Sequence, residues 1–146
     1  MILGVERIKN GLQKKKKMKI TNKELENVSR LAPFERYQYT IKKIADFEQL
    51  WSIIDETGDY ALSDVGNQTF FSIWPAREYV DSNLSNGWEK CQPKELTLDE
   101  FSDQLLIFIS ENDYLINVFP INGKSGFVVN LEEFIRDLNR ELEKYE

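Results

Sequence analysis

Very few residues in this chain have the type and spacing that chemistry needs. There is no histidine anywhere, which removes the commonest general base, the His-assisted Ser and Cys nucleophiles and most zinc sites together. Cys91 is the single cysteine; activating its thiol would fall to Lys90 or a helix N-terminus, and neither forms a motif. Carboxylates occur in close groups at Asp99-Glu100-Asp103, Glu111-Asp113 and Glu132-Glu133. They could do acid-base work or hold calcium, but none has the regular spacing of an oxygen-ligand loop, and helix capping explains them more simply. Gly123-Lys124-Ser125-Gly126 has the letters of a phosphate loop, yet Val118 stands where its first glycine belongs and a strand pattern follows, so it reads as a hairpin turn. No catalytic residue, metal ligand or cofactor motif is expected.

One group supports a positive hypothesis. Phe70-Phe71-Ser72-Ile73-Trp74-Pro75 runs into Arg77-Glu78-Tyr79 and is followed by Gly87-Trp88-Glu89. Trp, Tyr and Arg carry much of the binding energy at protein interfaces, and a strand leading into a helix displays side chains at one sheet edge. Trp74, Arg77, Glu78, Tyr79 and Trp88 are therefore the candidate partner-binding residues. The competing reading makes the same aromatics anchors of the core. Strand alternation places Phe71 and Ile73 on one face and Phe70, Ser72 and Trp74 on the other.

The elements that must position this group follow from periodicity and caps. Thr21 with Glu24 has capping-box spacing ahead of Leu25, Val28 and Leu31, and Ala32-Pro33 stops that helix. Phe34, Tyr37, Ile41 and Ile44 define a second helix, with Glu35, Arg36, Lys42 and Lys43 on its other faces. Leu50–Ile54, Tyr60–Ser63 and Gln68–Trp74, separated by turn clusters, predict a three-stranded meander. Pro75 ends the third strand and starts a helix over 76–84. Pro93 places the extended stretch 88–96 at an edge. Thr97 and Glu100 cap a helix with Leu98, Phe101, Leu105, Phe108 and Ile109 on its apolar face. Tyr114–Phe119 and Phe127–Val129 form a hairpin, and Asn130 with Glu133 caps a terminal helix. The expected fold is α+β: a mostly antiparallel sheet of meander plus hairpin, with an N-terminal helix pair and a C-terminal helix packed on it.

At 146 residues, 41% hydrophobic and 12% aromatic, the chain suits one domain with a real core. Residues 1–17 carry six basic side chains against Glu6 and read as a disordered basic leader, with a phosphate-touching arm as the alternative; residues 18–146 form the domain. That domain holds 13 basic against 24 acidic side chains, −11, which repels nucleic acid and steers a basic partner toward it. Solubility explains the same charge. The lone cysteine and the missing apolar leader favour a cytoplasmic, membrane-free protein.

Ile73-Trp74-Pro75 and Glu78-Tyr79 within Phe71–Tyr79, with Trp88 and the later Val118-Phe119-Pro120, resemble a bacterial family known as domain of unknown function 2750. Glu35-Arg36-Tyr37, Leu50-Trp51 and the helix Leu131–Tyr145 are similar to its layout, so the resemblance spans Thr21 to Tyr145. Members usually have a histidine just after Trp-Pro, where this chain has Ala76-Arg77; any role of that histidine is absent here. The resemblance implies a small soluble cytoplasmic α+β domain and brings no catalytic residues. Two functional classes stay open: a non-enzymatic interaction module, immunity-like or inhibitory, monomeric or weakly dimeric, whose acidic body binds a basic protein; or a ligand-binding protein or enzyme with a site at the Trp74 junction.

Overall fold

A computed structural model describes residues 18–145; the expectation of a disordered leader at 1–17 lies outside them. Thr21 caps α1 (Asn22–Ser29) by accepting the Glu24 N–H at 3.1 Å. Proline at the first position of α2 (Pro33–Phe47) presets its backbone, and the Glu35 carboxylate accepts the Ala32 N–H. Left-handed Glu48 then joins α2 directly to β1 (Gln49–Ile54).

The chain continues through β2 (Leu62–Val65), β3 (Gln68–Ile73), α3 (Arg77–Asp81) and β4 (Gln92–Thr97). Thr97 and Glu100 close a reciprocal cap at the start of α4 (Leu98–Glu100), which runs through a π-helical turn, Phe101–Leu105, into α5 (Leu106–Glu111). The hairpin β5 (Leu115–Val118) and β6 (Phe127–Val129) precedes α6 (Leu131–Glu143), capped by Asn130 and Glu133. Among the described residues no helix is long and apolar enough to cross a membrane.

The domain is α+β and its strand pairs are mostly antiparallel. The pairing departs from the meander in two places. β2 and β3 form the expected hairpin, but β1 pairs along its length with β4, Ile53 opposite Pro93 and Trp51 opposite Glu95. The four-stranded sheet has the order β2-β3-β5-β6, and β3 with β5 is parallel. The reason lies in β3. Beyond Phe71 it turns its even-numbered backbone groups from β2 to β1: Trp74 and Trp51 exchange N–H···O bonds of 2.8 and 2.9 Å, and the Ser52 hydroxyl donates to Ser72 O at 2.7 Å. β1 thus succeeds β2 along the same side of β3 and spends its other side on β4, joining the two sheets at a corner.

With β5 on its other side, β3 is interior. Phe70, Phe71, Ser72, Ile73 and Trp74 are all buried, so alternation does not divide this strand into a wet and a dry face. Parallel, centrally placed strands read as continuous apolar runs for that reason. Helices α2 and α6 pack on each other and against β5 and β6. The α5 end of the capped helix covers Phe71 through Phe108 and Tyr60, whose ring lies 5.1 Å from that of Phe71. Phe101 meets Phe134 of α6 edge to face.

Candidate functional site

The candidate residues of the aromatic junction divide into core and surface. Trp74 and Tyr79 are fully buried, Arg77 and Glu78 are exposed, and Trp88 is half-buried. Trp74 donates from Nε1 to Pro120 O at 3.0 Å and stands edge to face with Trp88, ring centres 5.7 Å apart. Arg77 pairs along α3 with Asp81 at 3.5 Å. The Tyr79 ring packs 4.7 Å from Phe119, and its hydroxyl bonds Tyr39 Oη at 2.8 Å; Tyr39 donates onward to Glu24, which also holds Lys43 at 3.4 Å. Burial first, then the Glu24 and Glu78 charges, push the Tyr79 phenol up to about 12 against the opposing Tyr39 bond. Burial and the Glu24 bond raise Tyr39 as well.

Phe119 is the hub of this knot. Its backbone is left-handed, φ 62°, uncommon for an aromatic residue. Its N–H donates to Ile73 O at 2.8 Å, and its carbonyl accepts Arg36 Nε at 3.2 Å. Arg36 donates also to Leu31 O at 2.6 Å and lies 5.6 Å from the centre of the Phe119 ring. Helical periodicity put Arg36 on an outer face of α2; the structure buries it, 5% exposed, because the Phe119 corner folds over that face. Desolvation lowers its pKa. Asn83 and Asn117 complete the corner: Asn83 Oδ1 accepts the Asn122 N–H, and Asn117 Oδ1 accepts the Gly126 N–H at 2.7 Å. A Cβ at Gly126 would stand 1.9 Å from Val118 O, so Gly123-Lys124-Ser125-Gly126 is a hairpin turn fixed by packing. Sequence inspection missed Arg36, Asn83, Asn117 and the Tyr39–Tyr79 bond; the Arg-Tyr pair ahead of an apolar helix face was the available signal.

The Trp74 indole, the Tyr79 hydroxyl and the Arg36 guanidinium all bond inside the knot. Trp74 has no accessible surface to offer a ligand, while Glu78 stands in water. Cys91 is half-buried, and its thiol is pushed up by burial, then by the charges of Asp55, Glu56 and Glu89, which disfavours the thiolate. A groove of about 350 Å³ runs between α2 and α6, with Phe34, Tyr37, Lys42, Asp137, Arg140 and Lys144 among its lining. Its polar groups answer one another: Tyr37 donates to Asp137 at 2.6 Å, Arg140 faces Asp137 and Lys144 pairs with Glu141. Among the described residues no group of His, Cys, Asp and Glu could hold a metal ion.

The surface that remains is acidic. From Ile44 to Ala76 there is no lysine or arginine, and the carboxylates Asp46, Glu48, Asp55, Glu56, Asp59 and Asp64 fall in that stretch. It is the segment that forms β1, β2 and β3. Asp55 is held ionised by Thr57, whose hydroxyl and N–H it accepts at 2.6 and 2.9 Å, which lowers its pKa. Glu56 and Asp59 are exposed in the same turn, Asp64 is exposed farther along β2, and Glu89 lies close enough to act on the same Cys91. Half-buried Trp88, Tyr60, Phe108 and Tyr114 lie in the same part of the molecule.

This is a small α+β domain with a sealed aromatic corner and an acidic sheet edge. Residues 37–138 match the family described as Protein of unknown function (DUF2750), and the chain belongs to that family. Trp74-Pro75, Tyr79, Arg36 and Phe119-Pro120, far apart in sequence, are joined in its buried knot. No curated protein matches at the stringency applied. Among solved structures, a match described as Anabaena Tic22 (protein transport) has 13% identity and a TM-score of 0.34, covering 58% of this chain. The matched region spans 47% of that protein's chain, and the likeness carries no functional argument.

Proposed function

We propose that the protein is a non-enzymatic interaction module that binds a basic protein through the acidic turn between β1 and β2 and the free edge of β2. The observation that carries this reading is the 33-residue stretch without a cation, 44–76, from which the β1–β2 turn exposes Glu56 and Asp59 and β2 exposes Asp64. Carboxylates concentrated on one side steer a cationic partner and orient it, and half-buried aromatics beside them supply apolar contact. An inhibitor or immunity-like role fits such a module, since covering a basic partner is then the whole activity. The Trp74 indole and the Tyr79 hydroxyl both bond within the knot, which supports assigning it to stability and assigning recognition to the edge.

The test is retention of cell proteins on a column bearing the full chain, against a column bearing the E56K/E89K variant. Both side chains are exposed. Basic proteins should be retained by the first column and elute as salt rises, and the variant should release them at distinctly lower salt. Identical elution from both columns would sink the proposal.

A further inference from the structure

β2 is an edge strand. The sheet order leaves one of its sides unpaired, and β3 is the element it packs against most. A two-residue turn, Gly66-Asn67 with φ 62° at Gly66, joins it to β3, so Val65 faces Gln68 and Ser63 faces Phe70. In such a hairpin the pair flanking the turn is hydrogen-bonded and the bonded pairs alternate from there. Ser63 and Val65 therefore bond to β3. Leu62 and Asp64 turn their N–H and C=O outward. The parity of β3 agrees: Ile73 O, at an odd position, accepts from Phe119 on the β5 side, while Trp74, at an even one, bonds β1 on the β2 side.

Leu62 and Asp64 also share a face. Leu62 stands opposite Phe71, beside the Tyr60 and Phe108 rings. Asp64 accepts the Thr69 hydroxyl through Oδ1 at 2.6 Å, leaving its second oxygen toward solvent. The edge thus offers two outward backbone positions, an aromatic step beside the first and a carboxylate at the second.

We propose that β2 docks an extended segment of a basic partner protein as an added strand, the segment carrying an apolar residue opposite Leu62 and a lysine or arginine two positions away, opposite Asp64. This rests on the interaction reading above and names its mode. The occupant follows from charge: a second copy of this chain would bring Asp64 and its acidic neighbours against their equals, whereas a cationic strand meets no cation between 44 and 76. Main-chain bonds supply affinity in strand addition, and alternate side chains supply selectivity.

The probe is acetyl-Lys-Leu-Thr-Lys-Val-Lys-amide at millimolar concentration, added to the full-length, isotope-labelled chain, with amide exchange and chemical shifts read residue by residue. Slowed exchange at the Leu62 and Asp64 amides is the expected result. Asp64→Asn keeps the outward N–H and should weaken binding about threefold, as loss of one exposed charge contact does. Asp64→Pro, which removes that N–H and spares the β2–β3 ladder, should weaken it by more than roughly tenfold. A peptide N-methylated at alternate residues keeps its charge but cannot pair, so it should lose binding equally without any change to the protein. If the methylated peptide binds as well as the parent, or Asp64→Pro costs no more than Asp64→Asn, strand addition is wrong while acidic recognition stands. If E56K/E89K releases no partner and the parent peptide does not bind, both readings fall.

Discussion

Replacing Arg36 by methionine keeps most of the side-chain stem and deletes the guanidinium at the centre of the buried corner. In the native protein that group sits 5% exposed, bonded to Leu31 O at 2.6 Å and Phe119 O at 3.2 Å and set over the Phe119 ring. A buried cation can be dispensable when its removal returns more desolvation energy than it loses in bonds. Here its partners are carbonyl oxygens that have to stay where they are, because Phe119 also bonds Ile73 and Pro120 anchors Trp74. Two charge-assisted bonds are worth about 1.5–3 kcal/mol each, and an orphaned buried acceptor costs about 1–3 kcal/mol. Recovered desolvation offsets part of this, leaving a net loss of about 3 kcal/mol, or roughly 10 °C in Tm for a domain of this size. Urea unfolding followed by tryptophan fluorescence reads the change directly. Arg36→Lys should recover only part of it, since an ammonium lacks the fork that spans both carbonyls. A loss under about 0.5 kcal/mol for the methionine variant would refute the idea that this guanidinium ties α2 to the Phe119 corner.

Three further outcomes are expected. Gly126→Ala forces a Cβ against Val118 O at 1.9 Å, so the β5–β6 hairpin should open locally and stability fall by about 2–4 kcal/mol, with loss of exchange protection at residue 126. Trp74→Phe leaves Pro120 O without its donor and a void beside Trp88, a loss of about 2–3 kcal/mol in unfolding free energy, read from urea titration. Tyr79 is held neutral, its pKa raised to about 12, and Tyr39 is raised too. Its contribution is therefore complete below pH 10 and is lost as pH rises from about 10 toward 12; Tyr79→Phe should flatten that fall, and an unchanged alkaline profile would contradict it.

Most elements were legible in the sequence because their signals are local. The caps at Thr21, Thr97 and Asn130 and the stop at Ala32-Pro33 were each read from a few neighbouring residues. Partner choice among strands was not, since β1 and β2 carry similar patterns and only the corner at Trp51 and Trp74 decides which neighbour each takes. The candidate site was legible in part. Aromatic density marked the right region, yet burial of Trp74 and Tyr79 depends on Phe119 and Arg36, which lie more than thirty residues away. The acidic edge was visible as net charge and as the run from 44 to 76 without a lysine or arginine.

The π-helical turn between α4 and α5 bears on how this chain tolerates changes in length. Phe101, Leu105 and Ile109 are spaced by four and are all buried. In a regular helix each four-residue step overshoots a full turn by about 40°. The wider turn, closed by the Leu106 N–H onto Phe101 O, absorbs part of that drift and keeps the three side chains on one line. The extra residue is in this sense a spacer: deleting one position among 102–104 would restore α-helical bonding and set Ile109 seven residues from Phe101, within about 20° of two full turns, so that Ile109 stays on the core side. A one-residue deletion inside this turn should therefore be accepted more readily than one in the middle of α6, where no wide turn exists to take it up and every later side chain swings by about 100°.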